Sequence, residues 1–274
     1  MSDSQLVGLA KDFFQNSLDS SPTSAIMRGH KKYFDQIEEL TEEQFQKEKD
    51  IVDTFIQRLN AIEKDNLTSR EKVTHGMLEF ALSSNKDSLL DRSWEFGAGV
   101  AGFTGFLIDY NQQMFVPDSE SADMMLKRLE LYKRLYTQIA DVQKLGLNNN
   151  RVATERNLLR TIDQLENYLA SSLDQDPLLL VNFSPEISDS EISEWKDKAK
   201  KIIEVNIRPT VSAYLDQLKT EHLPKGRGDD NCGIMWIDGG EESYLRSLRK
   251  YTGHKDTTVK EVHEIGLSEI ERLK

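Results

Sequence analysis

The sequence predicts an all-α protein, a multi-helix array of long amphipathic helices with at most one short β-hairpin near residues 232–238. Three observations carry this reading. Glycine and proline are scarce, 15 and 6 in 274 residues, and they are the two residues that cost most inside a helix. Apolar residues recur at three- and four-residue spacing almost throughout, as on a helix with one buried face. Helix-start signals, Ser or Thr followed three residues later by Glu or Gln, stand before several of these runs.

Taken in order, the first helix is expected from Asp3 to Ser20, with Leu6, Leu9, Phe13 and Phe14 on one face, ended by Ser21-Pro22-Thr23. Thr41 and Gln44 start a second helix, whose stripe is Phe45, Val52, Phe55, Ile56, Leu59 and Ile62. Ser69 is expected to cap a third, carrying Val73, Met77, Phe80 and Ala81. The run from Phe96 to Phe106, four glycines among aromatic residues, suits close backbone packing or a cleft lining rather than a regular helix. Pro117 and Asp118 open a long helix through Met125, Leu129, Tyr132, Leu135, Ile139 and Val142, expected to close at Gly146. Another spans about Arg151 to Leu173, with Leu158, Ile162, Leu165 and Leu169.

Ser188 and Glu191 form a capping box ahead of a helix through Trp195, Ile202, Val205, Val211, Tyr214, Leu215 and Leu218. Pro209 inside it predicts a kink, because its ring removes one hydrogen bond and crowds the preceding turn. From Leu223 to Gly240 the chain is loop-like, and Ile234-Met235-Trp236-Ile237 is expected to pair as a strand. A helix over Glu241–Tyr251 follows, then a last one capped by Thr258 and Glu261. That helix runs to Lys274 without a stop signal, the pattern expected of a chain cut in mid-fold. No repeat of fixed period is evident, so the expected organisation is a single helical domain over 1–274, with a subdivision into 1–115 and 116–274 allowed.

Composition narrows the partners. Hydrophobic residues make up 38% and charged residues 30%, polar for a globular chain, yet the regular apolar spacing leaves a core to bury. The net charge is −12, with Lys and Arg scattered among acids, which argues against nucleic acid and against an anionic membrane surface. No run approaches the ~20 apolar residues of a membrane span. The N-terminus, Met1-Ser2-Asp3-Ser4-Gln5, lacks the features of a signal peptide. A cytoplasmic location is expected if Met1 is the native start, and a periplasmic or secreted one if a leader was trimmed. Cys232 stands alone, so no internal disulfide framework and no thiolate cluster are expected.

Complete catalytic or metal constellations are missing from the sequence. The five histidines, His30, His75, His222, His254 and His263, include no pair four residues apart. His263-Glu264-Ile265-Gly266-Leu267 imitates HExxH but places Leu267 where the second zinc-ligating histidine belongs. No GxSxG elbow offers a serine nucleophile, and Cys232 has no flanking cation to activate it. Asp229-Asp230-Asn231 lacks the alternating ligands of a calcium loop. Catalytic residues: none; metal ligands: none; cofactor in this chain: none.

The C-terminal third is more specific. The run from Trp236 to Leu273 carries Gly239, Gly240, Tyr244, Leu248, Thr252, Thr258, Glu261, His263, Gly266, Leu267 and Ile270 at spacings that resemble the domain of unknown function 885 family. Leu126–Leu129, Ile207-Arg208-Pro209, Tyr214, Leu218 and His222-Leu223-Pro224 fit it more loosely. The resemblance implies a helical zinc-peptidase-like protein about twice this length, of the gluzincin kind, with the zinc helix in a half that follows Lys274. It implies that this chain is a substrate-channel wall, not catalytic by itself, whose partners are the C-terminal half of the same protein and a peptide-like substrate. Tyr244, Arg249, Tyr251 and Thr252 are then the channel-facing candidates, set against an ordinary role in helix packing and capping. The competing expectation is a stand-alone helical binding or scaffolding protein. The two differ in surface, since a half-protein exposes a large apolar patch where its other half belongs.

Overall fold

A computed structural model describes residues 5–97, 110–254 and 256–274, so most of the glycine–aromatic run expected between Phe96 and Phe106 lies outside the described residues. The fold is mostly helical. The α-helices are α1 (Gln5–Asp19), α2 (Pro22–Met27), α3 (Glu42–Asn60), α4 (Ser69–Asp91), α5 (Ser119–Asn148), α6 (Glu155–Ala170), α7 (Asp189–Ile202), α8 (Arg208–Gln217), α9 (Gly240–Thr252) and α10 (Val259–Leu273). Two-residue strands β1 (Phe115–Val116) and β2 (Asn182–Phe183) pair in parallel, with Phe115 opposite Asn182 and Val116 opposite Phe183.

Backbone contacts divide the chain into two compact units, both discontinuous in sequence: residues 1–13, 45–93 and 233–274, and residues 14–44 and 94–232.

The larger unit is built on α5. Asp118 caps its start by accepting from the Ser121 amide at 2.9 Å. The expected stripe is fully realised: Met125, Leu129, Tyr132, Leu135, Ile139 and Val142 are all buried, as is Tyr136. Each fully buried Leu or Ile contributes about 2 kcal/mol of apolar transfer. Around them pack Leu158, Ile162 and Leu165 of α6, Trp195 and Ala199 of α7, and Val211, Tyr214 and Leu215 of α8. Gly146 does not close α5, which runs on to Asn148. It is needed for another reason: a Cβ there would run into the Glu95 backbone and come within 2.9 Å of the Arg151 carbonyl.

At Pro209, where a kink is expected, the structure shows a local π-turn. Residues Ile203–Ile207 make a π-turn between α7 and α8, and its wider coil relieves the clash of the proline ring with the turn before it. The same device recurs downstream, where the π-turn Leu218–His222 precedes Pro224.

The smaller unit has its own core, Leu6 and Leu9 of α1, Val52, Phe55 and Leu59 of α3, and Leu78 and Leu82 of α4. Phe13 meets Phe55 edge-on, with centroids 5.7 Å apart. Two expectations fail here. Thr68, not Ser69, caps α4, in a capping box with Glu71. The buried face of α4 is His75, Leu78 and Leu82, whereas Val73, Met77 and Phe80 of the expected stripe are exposed. Apolar residues occur on two sides of this helix, so periodicity alone did not decide its phase.

The strand expected at Ile234–Ile237 is also corrected. Ile234–Trp236 is a 3-10 turn, and the Ile237 amide donates to the Ile234 carbonyl at 3.2 Å. Met235 and Trp236 are exposed, and Gly240 packs so tightly on the Ile234 carbonyl that a Cβ there would overlap it. The parallel pair β1–β2 is instead formed by segments 67 positions apart, too short to leave a sequence signal.

Two tests follow from the larger unit. Arg128, on the buried side of α5, donates to the Gln36 carbonyl and to Thr23 Oγ1 at 2.6 Å. Replacing it in Arg128→Met takes the donor away from the buried Thr23 hydroxyl and from the Gln36 carbonyl, and the expected loss is about 3 kcal/mol, read from urea unfolding. The Asp118 carboxyl is pulled from 3.8 to about 2, first by the Lys31 ammonium and then by Ser121. A lowered carboxylate stabilises fully above its unfolded value and loses that contribution as pH falls through the folded one. The thermal midpoint of Asp118→Ala should therefore trail the parent by a constant margin above about pH 5, and the margin should shrink towards pH 2. A margin independent of pH contradicts the assignment.

Candidate functional site

Within the smaller unit, α9 lies against α4 and leaves a cleft of ≈ 570 Å³ beside their contact. Left-handed glycines bracket α9, Gly239 before it at φ 70° and Gly253 after it at φ 73°. Both positions favour a residue without a Cβ, and they turn the chain sharply on and off the helix. The buried side of α9 carries Ser243 and Leu248. On α4 the cleft residues include Gly76, Phe80, Ser83 and Asp87, a face rotated roughly 140° from the buried His75, Leu78 and Leu82.

Two ion pairs hold the helices. Arg246 on α9 pairs with Asp91 on α4, both side chains 17% exposed, and Arg246 also donates to Ser243 Oγ at 3.2 Å. Arg249 reaches Asp87 at 3.5 Å across the cleft wall, a longer and wetter contact. The order is reversed along the two helices, Asp87 and Asp91 against Arg249 and Arg246, as an antiparallel ladder requires. Lys250 Nζ stands 3.4 Å from Ser88 Oγ, and Glu79 on the same wall takes Lys64 at 3.1 Å. His254 completes the rim. The cleft thus presents two cations, two carboxylates and two serine hydroxyls together with Phe80, a lining able to hold both ends of a zwitterionic or peptide-like ligand.

The four sequence candidates separate in space. Arg249 lines the cleft. Thr252 donates to the Leu248 carbonyl at 2.8 Å and accepts from the His254 amide at 3.2 Å, which ties down the end of α9. Tyr244 is 45% exposed and Tyr251 85% exposed, and neither lines the cleft. Glu79, Ser83, Asp87, Lys250 and His254 were not singled out from sequence. The sequence carries only a weak signal for them, since Asp87 and Asp91 are four apart and Arg246 and Arg249 three apart on separate helices.

Among the described residues no three His, Cys, Asp or Glu side chains are grouped to hold a metal ion. His263 is exposed on α10, and the neighbouring Glu264 is 3.7 Å from Lys260, one turn earlier on the same helix. The zinc that the sequence resemblance implies is expected in the other half, and His263 and Glu264 are not grouped with further ligands here. Cys232 is exposed. No helix of the described residues is long and apolar enough to cross a membrane.

Comparison with known proteins gives two findings. A family model described as "Bacterial protein of unknown function (DUF885)" matches residues 22–274. Among solved structures, a chain described as the putative lipoprotein from Colwellia psychrerythraea superposes with a TM-score of 0.80 at 14% identity, over 98% of this chain and 49% of that one. At that identity the match establishes the fold alone. The chain spans about half the length of that structure. No curated protein matches it.

The two ion pairs should differ in weight. Asp91→Ala strands a guanidinium that is mostly buried, for an expected loss of about 2 kcal/mol. Asp87→Ala removes a pair whose arginine is 40% exposed, for about 0.5 kcal/mol. Urea midpoints of the two variants check the ranking, and equal losses overturn it.

Proposed function

We propose, from the premise that the chain belongs to the DUF885 family of bacterial proteins, that it is the substrate-channel half of a larger zinc-dependent, peptidase-like hydrolase and is not catalytic by itself. The observation that carries this reading is the match of nearly the whole chain to only 49% of a solved structure with the same fold. The residue-level resemblance of the Trp236–Leu273 region supplies the reaction class, and zinc and its ligands belong to the other half.

In this reading the α4–α9 cleft is a stretch of channel wall. Arg249 and Lys250 receive a substrate carboxylate, Glu79 and Asp87 face its amino groups, and Phe80 packs against an apolar side chain. These contacts bind and orient, so they act on affinity more than on the chemical step. The exposed apolar residues of the smaller unit favour a half-protein over a self-sufficient binding module, which has no reason to leave them uncovered. The description of the solved relative as a lipoprotein supports a periplasmic or secreted location.

The test compares residues 1–274 with the protein extended through the second half, each assayed on a peptide library with and without added zinc. Residues 1–274 should show no turnover in either condition, and the extended protein should show zinc-dependent cleavage. Arg249→Ala in the extended protein should raise KM about tenfold with kcat nearly unchanged, as expected for a contact made equally in ground and transition states. Turnover by residues 1–274, or none by the extended protein, overturns the reading.

A further inference from the structure

α10 is amphipathic, and of its apolar stripe only Val262 is half-buried. Val259, Val262, Ile270 and Leu273 lie within one narrow stripe of its surface, and no residue of the helix is buried. A 15-residue helix standing in water is marginal on its own. Its start is nevertheless carefully built: Thr258 and Glu261 exchange both hydrogen bonds of a capping box, at 2.8 and 3.2 Å. In the middle of the stripe sits Gly266, with nothing within 4 Å of the place a Cβ would take. A mid-helix glycine costs about 1 kcal/mol relative to alanine, and no neighbour within the described residues accounts for it.

The exposed apolar surface is also unevenly distributed. Fourteen of the twenty exposed large apolar side chains of the described residues fall in the smaller unit, among them Trp236, Tyr251 and the stripe residues Val259, Ile270 and Leu273. A cover for them is available, because half of the double-length solved fold has no counterpart in residues 1–274.

We infer that the Val259–Leu273 stripe is the seat of a helix from that other half of the fold, which crosses α10 at Gly266. The inference rests on the half-protein reading above, but it concerns assembly and not catalysis. The α10 helix therefore acts as the docking strip between the halves, and its glycine sets the distance of closest approach.

The experiment co-expresses residues 1–274 with the polypeptide encoded immediately downstream of Lys274 as a separate, tagged chain, and measures co-purification and affinity without any activity assay. The two chains should associate. Ile270→Glu should weaken the association at least tenfold. Gly266→Leu should do the same while leaving the far-UV circular dichroism of residues 1–274 equal or more helical, which separates lost docking from lost folding. A reading frame that stops at Lys274, failure to associate, or association that both variants leave unchanged overturns the inference. So does a homodimer of residues 1–274 that Ile270→Glu dissolves, since a second copy would then be the occupant. A pair that associates through α10 yet hydrolyses nothing with zinc upholds this inference and overturns the hydrolase reading alone.

Discussion

Arg128 lies on the buried face of α5 with none of its surface exposed, and the packing of the larger unit depends on how its guanidinium is satisfied. One nitrogen donates to the Gln36 carbonyl and another to Thr23 Oγ1; Thr23 in turn donates its hydroxyl and amide protons to Glu38, at 2.7 and 2.9 Å. The charge is thus relayed through a hydroxyl to a carboxylate at the edge of the core. A buried arginine without such a relay costs several kcal/mol. With it, the irregular segment from α2 to Glu38 has one low-energy seat on α5. The burial of Tyr33, Phe34 and Ile37 in that segment follows from this anchoring.

Two further arginines do the same for other connections in this unit. Arg208 pairs with the fully buried Asp176 at 3.0 Å and donates to the Ser171 carbonyl at 2.9 Å, while Asp176 accepts from the Leu178 amide. Arg151 pairs with the buried carboxylate of Glu95 at 2.6 Å. In each case a planar, permanently charged fork fixes a stretch of chain whose own amides and carbonyls have few regular partners. Long helices supply the apolar surface, and arginines at their margins seat the linkers. The π-turns before Pro209 and Pro224 widen the helix locally, and Ile203, Ile207 and Leu218 within them are all buried.

How far the sequence revealed this depended on whether a feature was local. Capping boxes at Ser188 and Thr258 were readable because both partners lie within four residues, and the α5 stripe because only one side of that helix is apolar. The phase of α4 was not readable, because Val73, Met77 and Phe80 compete with His75, Leu78 and Leu82, and only the partner surface decides. Ile234–Ile237 has strand-forming residues but lacks a strand to pair with, and Gly240 admits a tight turn against it instead. The cleft was half legible. Arg249 is legible through its neighbours in sequence, whereas Asp87 stands 162 positions away and meets it only because α4 and α9 run antiparallel.

The two units solve the same problem differently, and the difference bears on what the smaller one is for. The larger unit encloses its long helix and spends charged side chains on the joints. The smaller unit has a modest core of α1, α3 and α4 residues and leaves α9 and α10 with exposed tyrosine, leucine, isoleucine and valine. Charge alone gives such a surface solubility, and the chain carries −12 overall. Yet α10 alternates Lys260, Glu261, Glu264, Glu269, Glu271 and Arg272 around its polar side while keeping one stripe free of charge. A helix meant for water on all sides gains nothing by that segregation, since charges spread evenly would serve solubility better. Segregation has a use only where one side meets another apolar surface, so the asymmetry of α10 is evidence of a contact encoded in the sequence.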